Sequence, residues 1–260
     1  MNRPVILAVS FGTSFNSSRS ITIGAIESTL SEAFPEYEVR RAFTSNIIRK
    51  ILKNREGIVI DSVPEALEKL AEEGVRNVYI MPTHIMEGEE YDLKIVKAAE
   101  EYRSRFDKLS VGHALLTKPA DLEALIDILD EITSEYRNED TARVFMGHGS
   151  EHQANSVYSK LQSMIGARGI KDMFIGTVEA SPSLADVLES VKKSGAEKVV
   201  LTPLMMVAGD HATNDMAGDE DGSWKNVFEK VGFDVTCRIT GLGSEYRIQK
   251  MIAEHCSEML

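Results

Sequence analysis

Short apolar runs alternate with segments of helical spacing along this chain, and that alternation limits the folds open to it. Val5–Val9, Glu38–Ala42, Asn77–Met81, Leu109–Gly112, Arg143–Met146, Met173–Thr177, Lys198–Leu204 and Asp234–Ile239 read as strands. Between them Ser18–Ala33, Pro64–Glu73, Glu90–Phe106, Pro119–Tyr136, Asn155–Ile165, Ser183–Ser194 and Ser244–Met259 carry helical patterns. Asp61-Ser62 ahead of Pro64 is a helix start, because proline in the first turn gives up no hydrogen bond. Strand–helix–strand alternation predicts an α/β protein with a parallel sheet and helices on both its faces. At 260 residues the chain can bury one large core or two smaller ones.

The chain also repeats itself. The stretch from Asn77 to Glu90 can be laid on that from Lys198 to His211, with prolines and glycines coinciding. Ile6–Ser14 likewise matches Arg143–Glu151. Two similar α/β halves follow, residues 1–137 and 138–260, divided in the polar stretch Arg137–Thr141. Corresponding loops are expected to line a cleft. In this alignment His148 falls opposite Phe11 and His211 opposite Glu90, so the chemistry is expected to be asymmetric. The C-terminal half carries imidazoles, and Glu90 of the N-terminal half is expected to face them across the cleft.

Composition narrows the partners. A net charge of −12 argues against nucleic acid, which needs clustered Lys and Arg. It also slows an anionic substrate unless the site is locally basic. Cys237 and Cys256 make no CxxC and no metal spacing, so they read as buried or inert thiols. The apolar run after Met1 is too short for a signal peptide, and no segment reaches the length of a membrane span. A cytoplasmic location is the expectation, without membrane attachment. A homo-oligomer is compatible with the chain, but no motif fixes the oligomeric state.

Three residues lie in or near the loops that leave predicted strands, where open α/β sheets bind ligands. His148 sits between Gly147 and Gly149, which argue against a core position and leave room for a ligand. His211 follows Gly209-Asp210, and Asp210 either orients it or faces water. Glu179 follows Thr177-Val178 and either completes a two-histidine, one-carboxylate set or caps the next helix. Such a mixed set suits divalent cobalt, nickel, iron or zinc better than magnesium or calcium. His152 is four residues from His148, but the glycines oppose a helix across the pair, so it reads as support or as the next helix start. His84 shares the strand-exit position but has Leu204 or Met205 as its repeat partner, and His113 and His255 read as structural or exposed. Asp219–Ser223 lacks calcium-loop spacing and reads as a solvated rim. Met81, Met86, Met146, Met205 and Met206 fill core or flank a flat organic ligand. No G-x-G-x-x-G, P-loop or G-x-S-x-G elbow supports nucleotide binding or serine hydrolysis.

Several of these segments together resemble a known family. They are the F-G-T-S at Phe11–Ser14, Thr44–Lys50, Pro82-Thr83-His84, Met146–Gly149, Val178-Glu179 and the G-D-H-A-x-N-D-M of Gly209–Met216. They look like the anaerobic class II cobalt chelatases, which insert cobalt into sirohydrochlorin in cobalamin biosynthesis and share a fold with ferrochelatase. The resemblance implies two similar domains, each a four-stranded parallel sheet flanked by helices. It implies Co²⁺ as the substrate metal, a tetrapyrrole as the other substrate, and no organic cofactor. His148 matches the general base and a metal ligand, Glu179 the carboxylate ligand, His211 the second histidine ligand, and Glu90 the acidic catalytic residue of the N-terminal half. Arg19 and Arg49 are candidates for the substrate's carboxylates. An iron or nickel chelatase of the same fold, a non-catalytic tetrapyrrole or metal carrier and, more remotely, a metal-dependent hydrolase remain the alternatives.

Overall fold

A computed structural model describes residues 3–260. All eight expected strands form, and they build two four-stranded parallel sheets. The first contains β1 (Val5–Ser10), β2 (Glu38–Phe43), β3 (Asn77–Pro82) and β4 (Lys108–Val111) in the order β2-β1-β3-β4. The second contains β5 (Thr141–Gly147), β6 (Met173–Thr177), β7 (Lys198–Pro203) and β8 (Asp234–Cys237) in the order β6-β5-β7-β8. The two orders are the same: the first strand of each set is central, flanked by the second and third, with the fourth outermost. β1 and β5 are buried throughout, as strands covered by helices on both faces require.

Packing divides the chain differently from the expected break at 137/138. One unit contains the residues up to Thr117 together with Gly243–Leu260; the other is Lys118–Leu242. The helix Pro119–Ile132 belongs with the second sheet because Asp130 near its end accepts from Arg143 of β5 at 2.7 Å. The last helix, Tyr246–Ser257, returns to the first sheet. Thr29 donates to Gln249 at 3.0 Å, and Lys108 of β4 donates to the carbonyl of Met259 at 3.1 Å. Linear order placed these two helices in the halves that precede or follow them, whereas their buried faces decide where they pack.

The core of the first unit forms where Leu7, Val9, Val78 and Ile80 meet Val63, Leu67, Leu70 and Ile95. In the second, Val144, Met146, Val199 and Leu201 meet Val187, Val191, Trp224 and Phe228. Met81 and Met146 are fully buried core residues. Burial pushes the Cys256 thiol up to about 12 and raises that of Cys237, which suppresses thiolate in both.

Two helices escaped the sequence reading. Asn46–Glu56 is capped by Ser45, whose hydroxyl accepts from the Ile48 amide, and stops at Gly57 in the left-handed region. Its apolar residues do not form one buried stripe: Leu52 is buried, while Ile47 and Ile51 are exposed. Trp224–Lys230 is only seven residues long and follows the acidic rim. A helical run over 16–33 contains a π-helical turn at Ser20–Gly24. Further π-helical turns follow β3, at Asp92–Val96, and β7, at His211–Met216.

His84, just past β3, has both ring nitrogens shut off from solvent and without a hydrogen-bond partner among the described residues. Desolvation lowers its pKa to about 4. The imidazole is therefore neutral in the folded protein at pH 5, where the unfolded chain is protonated. Stability is unaffected by this group above about pH 6.5 and is lost as pH falls from there to 4, by about 3 kcal/mol in all. Urea unfolding of the wild type and of His84→Phe across pH 4–7 checks this. The variant is expected to lack that part of the slope, and equal slopes would show that His84 takes up its proton while folded.

Candidate metal centre

The site grows out of parallel strand pairing. β5 and β6 run in register from Arg143↔Met173 to Gly147↔Thr177. The pairing continues one step into the loops, where the Val178 amide donates to the carbonyl of Gly147 at 3.0 Å and the Glu179 amide to that of His148 at 2.9 Å. Register alone thus sets the carboxylate of Glu179 beside the imidazole of His148. On the other flank of β5, the Leu204 amide donates to Met146 at 2.7 Å and starts the loop that carries His211.

Glycine is required on both sides of His148. A Cβ at Gly147 would overlap the ring of Tyr158. Gly149 adopts φ +84°, and a Cβ there would lie 2.9 Å from the Ala180 amide nitrogen. Tyr158 is buried beneath this turn, and its hydroxyl takes hydrogen bonds from the backbone of Gly149 and His148. Its burial pushes the phenol up to about 12, so it stays protonated.

One ligand atom from each of His148, Glu179 and His211 lies within 4.8 Å of the others. The two imidazoles meet edge to face with centroids 4.6 Å apart and planes at 89°. His148 Nδ1 is 3.6 Å from Glu179 Oε2, too far for a hydrogen bond. The side chains remain accessible, at 46%, 54% and 33% for His148, Glu179 and His211.

The tautomers follow from the partners. His148 Nδ1 lies 2.8 Å from the carbonyl of Gly149, which only accepts, so Nδ1 carries the proton. His211 Nδ1 lies 2.6 Å from Asp215 Oδ2, an ionised acceptor, with the same consequence. In the neutral form each imidazole therefore keeps its lone pair on Nε2, open to a metal or a proton.

The remaining sequence candidates separate clearly. Glu90 is half-buried in the short helix Glu89–Tyr91 of the first unit, after the loop that leaves β3; it is not one of the three grouped residues. Asp210 does not orient His211: its Oδ1 accepts from Asn214 at 2.8 Å. Asp215, which does contact His211, was missed, although its place four residues along one helix was a readable signal. His152 caps the helical turn that follows it, its Nδ1 accepting from the Ala154 amide at 3.2 Å. His113 pairs with Glu87 on the surface, and His255 is buried in the last helix. Arg19 and Arg49 are committed internally. Arg19 is buried and paired with Glu56 at 3.1 Å, while Arg49 bonds the carbonyl of Ile60 at 2.8 Å, Asn46 and Glu65.

Comparison with known proteins identifies the family. Residues 4–260 match the family model described as cobalt chelatase (CbiK). A sirohydrochlorin cobaltochelatase of Salmonella typhimurium is 38% identical over 258 residues, 99% of this chain and 97% of that protein. The sirohydrochlorin cobaltochelatase CbiKC of Nitratidesulfovibrio vulgaris is 36% identical over 233 residues, 89% and 82% of the two chains. Among solved structures, SirB from Bacillus subtilis with Fe³⁺ superposes with a TM-score of 0.65 at 13% identity, covering 99% of this chain and 96% of that one. That likeness is one of fold. The chain belongs to the CbiK family of cobalt chelatases.

Proposed function

We propose that this protein inserts Co²⁺ into sirohydrochlorin. The observation that carries the reading is the meeting of His148, Glu179 and His211 in a chain of the cobalt chelatase family. Two nitrogens and a carboxylate form a set suited to a divalent first-row metal, and their accessibility leaves them open to the second substrate.

Metal insertion replaces two inner N–H protons of the macrocycle by one Co²⁺. The enzyme must therefore deliver a dication and take away two protons. His148, Glu179 and His211 hold the metal and yield it one bond at a time as ring nitrogens replace them. His148 Nε2, released from the metal, accepts one pyrrolic proton. Glu90 is the second acid–base group, an assignment that rests on the family resemblance. Cobalt enters as substrate, and no step calls on an organic cofactor.

Anaerobic mixing of the protein with sirohydrochlorin and Co²⁺, followed by visible spectroscopy against a protein-free control, tests the reading. Conversion beyond one equivalent is expected. A spectral change that stops at one equivalent would identify a carrier, and Fe²⁺ or Ni²⁺ turning over faster than Co²⁺ would replace the metal. Removing one ligand separates metal from macrocycle. His211→Ala is expected to weaken Co²⁺ binding by one to two orders of magnitude, roughly the loss of a ligand–metal contact and its support. Sirohydrochlorin binding is expected to stay within a few-fold of wild type, and separate titrations of the two substrates read the difference.

A further inference from the structure

The two imidazoles of the centre are held by unlike partners. Behind His148 stands a neutral acceptor, the carbonyl of Gly149 at 2.8 Å. Behind His211 stands a carboxylate, Asp215, at 2.6 Å. His211 and Asp215 are four residues apart within one π-helical turn, His211–Met216, so the backbone holds both ends of the contact. Such turns are uncommon and concentrate at functional sites. Asp210, the nearer acid in sequence, is occupied with Asn214 and leaves the imidazole to Asp215.

We infer that Asp215 is a positioning residue that fixes His211 with Nδ1 protonated and Nε2 free, making His211 the anchoring ligand of the centre and His148 the ligand that lets go. A carboxylate behind an imidazole locks ring and tautomer and strengthens the ligand, whereas a peptide carbonyl orients the ring without adding charge. The division suits a site that surrenders its metal on every turnover. His211 yields the metal last, while His148 departs first and is left with a lone pair for a proton. The inference rests on the proposed function for its metal, but the tautomer belongs to the protein alone.

The experiment compares wild type with Asp215→Ala, Asp215→Asn and, as control, Asp210→Ala. Long-range ¹⁵N–¹H correlation spectra of metal-free protein labelled at histidine read the His211 tautomer, and titration with Co²⁺ reads affinity. Wild type is expected to show the Nδ1–H form. In Asp215→Ala the ring is expected to shift toward Nε2–H, with Co²⁺ affinity falling by about 10- to 100-fold. In Asp215→Asn, whose amide oxygen still accepts, the tautomer is expected to persist with a smaller loss. Asp210→Ala is expected to follow wild type in both readouts. An unchanged tautomer in Asp215→Ala overturns the inference. A changed tautomer with unchanged affinity overturns the anchoring role. Wild type that fails to bind Co²⁺ through these residues refutes the proposed function instead, and the metal-free spectra still decide what Asp215 does.

Discussion

Replacement of His148 by alanine is expected to lower the rate of cobalt insertion by about three orders of magnitude or more. General base catalysis alone contributes roughly 10²- to 10⁴-fold, and the same side chain is also a proposed metal ligand. Nothing in the fold depends on this imidazole: the side chain is 46% exposed, and its described hydrogen bond goes to the neighbouring carbonyl of Gly149. The strand pairing that builds the turn uses the backbone of His148, which alanine preserves. Secondary structure and unfolding midpoint are therefore expected to match wild type, so that the rate loss is chemical. The single-turnover rate of Co²⁺ insertion at saturating sirohydrochlorin is the measurement. Near-wild-type turnover would remove His148 from the mechanism and leave Glu179 and His211 as a binding pair.

At the opposite end of the same strand the expected effect is on stability. Arg143 is 1% exposed and joins Asp130 of the helix Pro119–Ile132 to Asp172 ahead of β6, with donor–acceptor distances of 2.7 and 2.8 Å. Arg137 pairs with Asp130 as well, at 2.5 Å. Burial works against the charged form of Arg143, but its hydrogen bonds to the two carboxylates outweigh that and raise its pKa. Asp130 is likewise disfavoured as an anion by burial, yet the two arginines hold its carboxyl below the ordinary range. Arg143→Ala leaves two partly buried carboxylates facing a cavity. Loss of one partner of a buried pair costs about 3–5 kcal/mol, and partial solvent access of both acids favours the lower end. That is a large part of the 5–15 kcal/mol typical of a whole domain. Urea unfolding monitored at Trp224, in the core of the same unit, reads it directly. A shift below about 1 kcal/mol would mean that the network adds specificity rather than stability. Because Asp130 is depressed, its contribution is present above its unfolded pKa near 4 and fades as pH falls below that value. Acidification is therefore expected to narrow the gap between variant and wild type.

The sequence by itself determined the strands, the parallel class and the internal repeat, and it singled out the three residues that the structure groups as a candidate metal centre. These were legible because they depend on local, periodic properties. A buried parallel strand is a continuous apolar run, and a ligand at its exit must follow that run within a few residues. His148 and Glu179 obey this rule, His211 lies farther on, past the loop that leaves β7 at Pro203, and the family motifs fall on all three positions. The helix Asn46–Glu56 was not legible, because Ile47 and Ile51 face solvent and blur the stripe that marks a helix. The destination of the last helix was not legible either: linear order cannot show that Gln249 meets Thr29. Arg19 and Arg49 were plausible cations in the sequence until tertiary contacts with Glu56, Ile60 and Glu65 engaged them. The spacing of four residues made Asp215 a readable candidate for the partner of His211, but only the structure chose it over Asp210. Both acids lie close to the histidine in the chain, and which one meets Nδ1 is decided by the rotation per residue of a single π-helical turn.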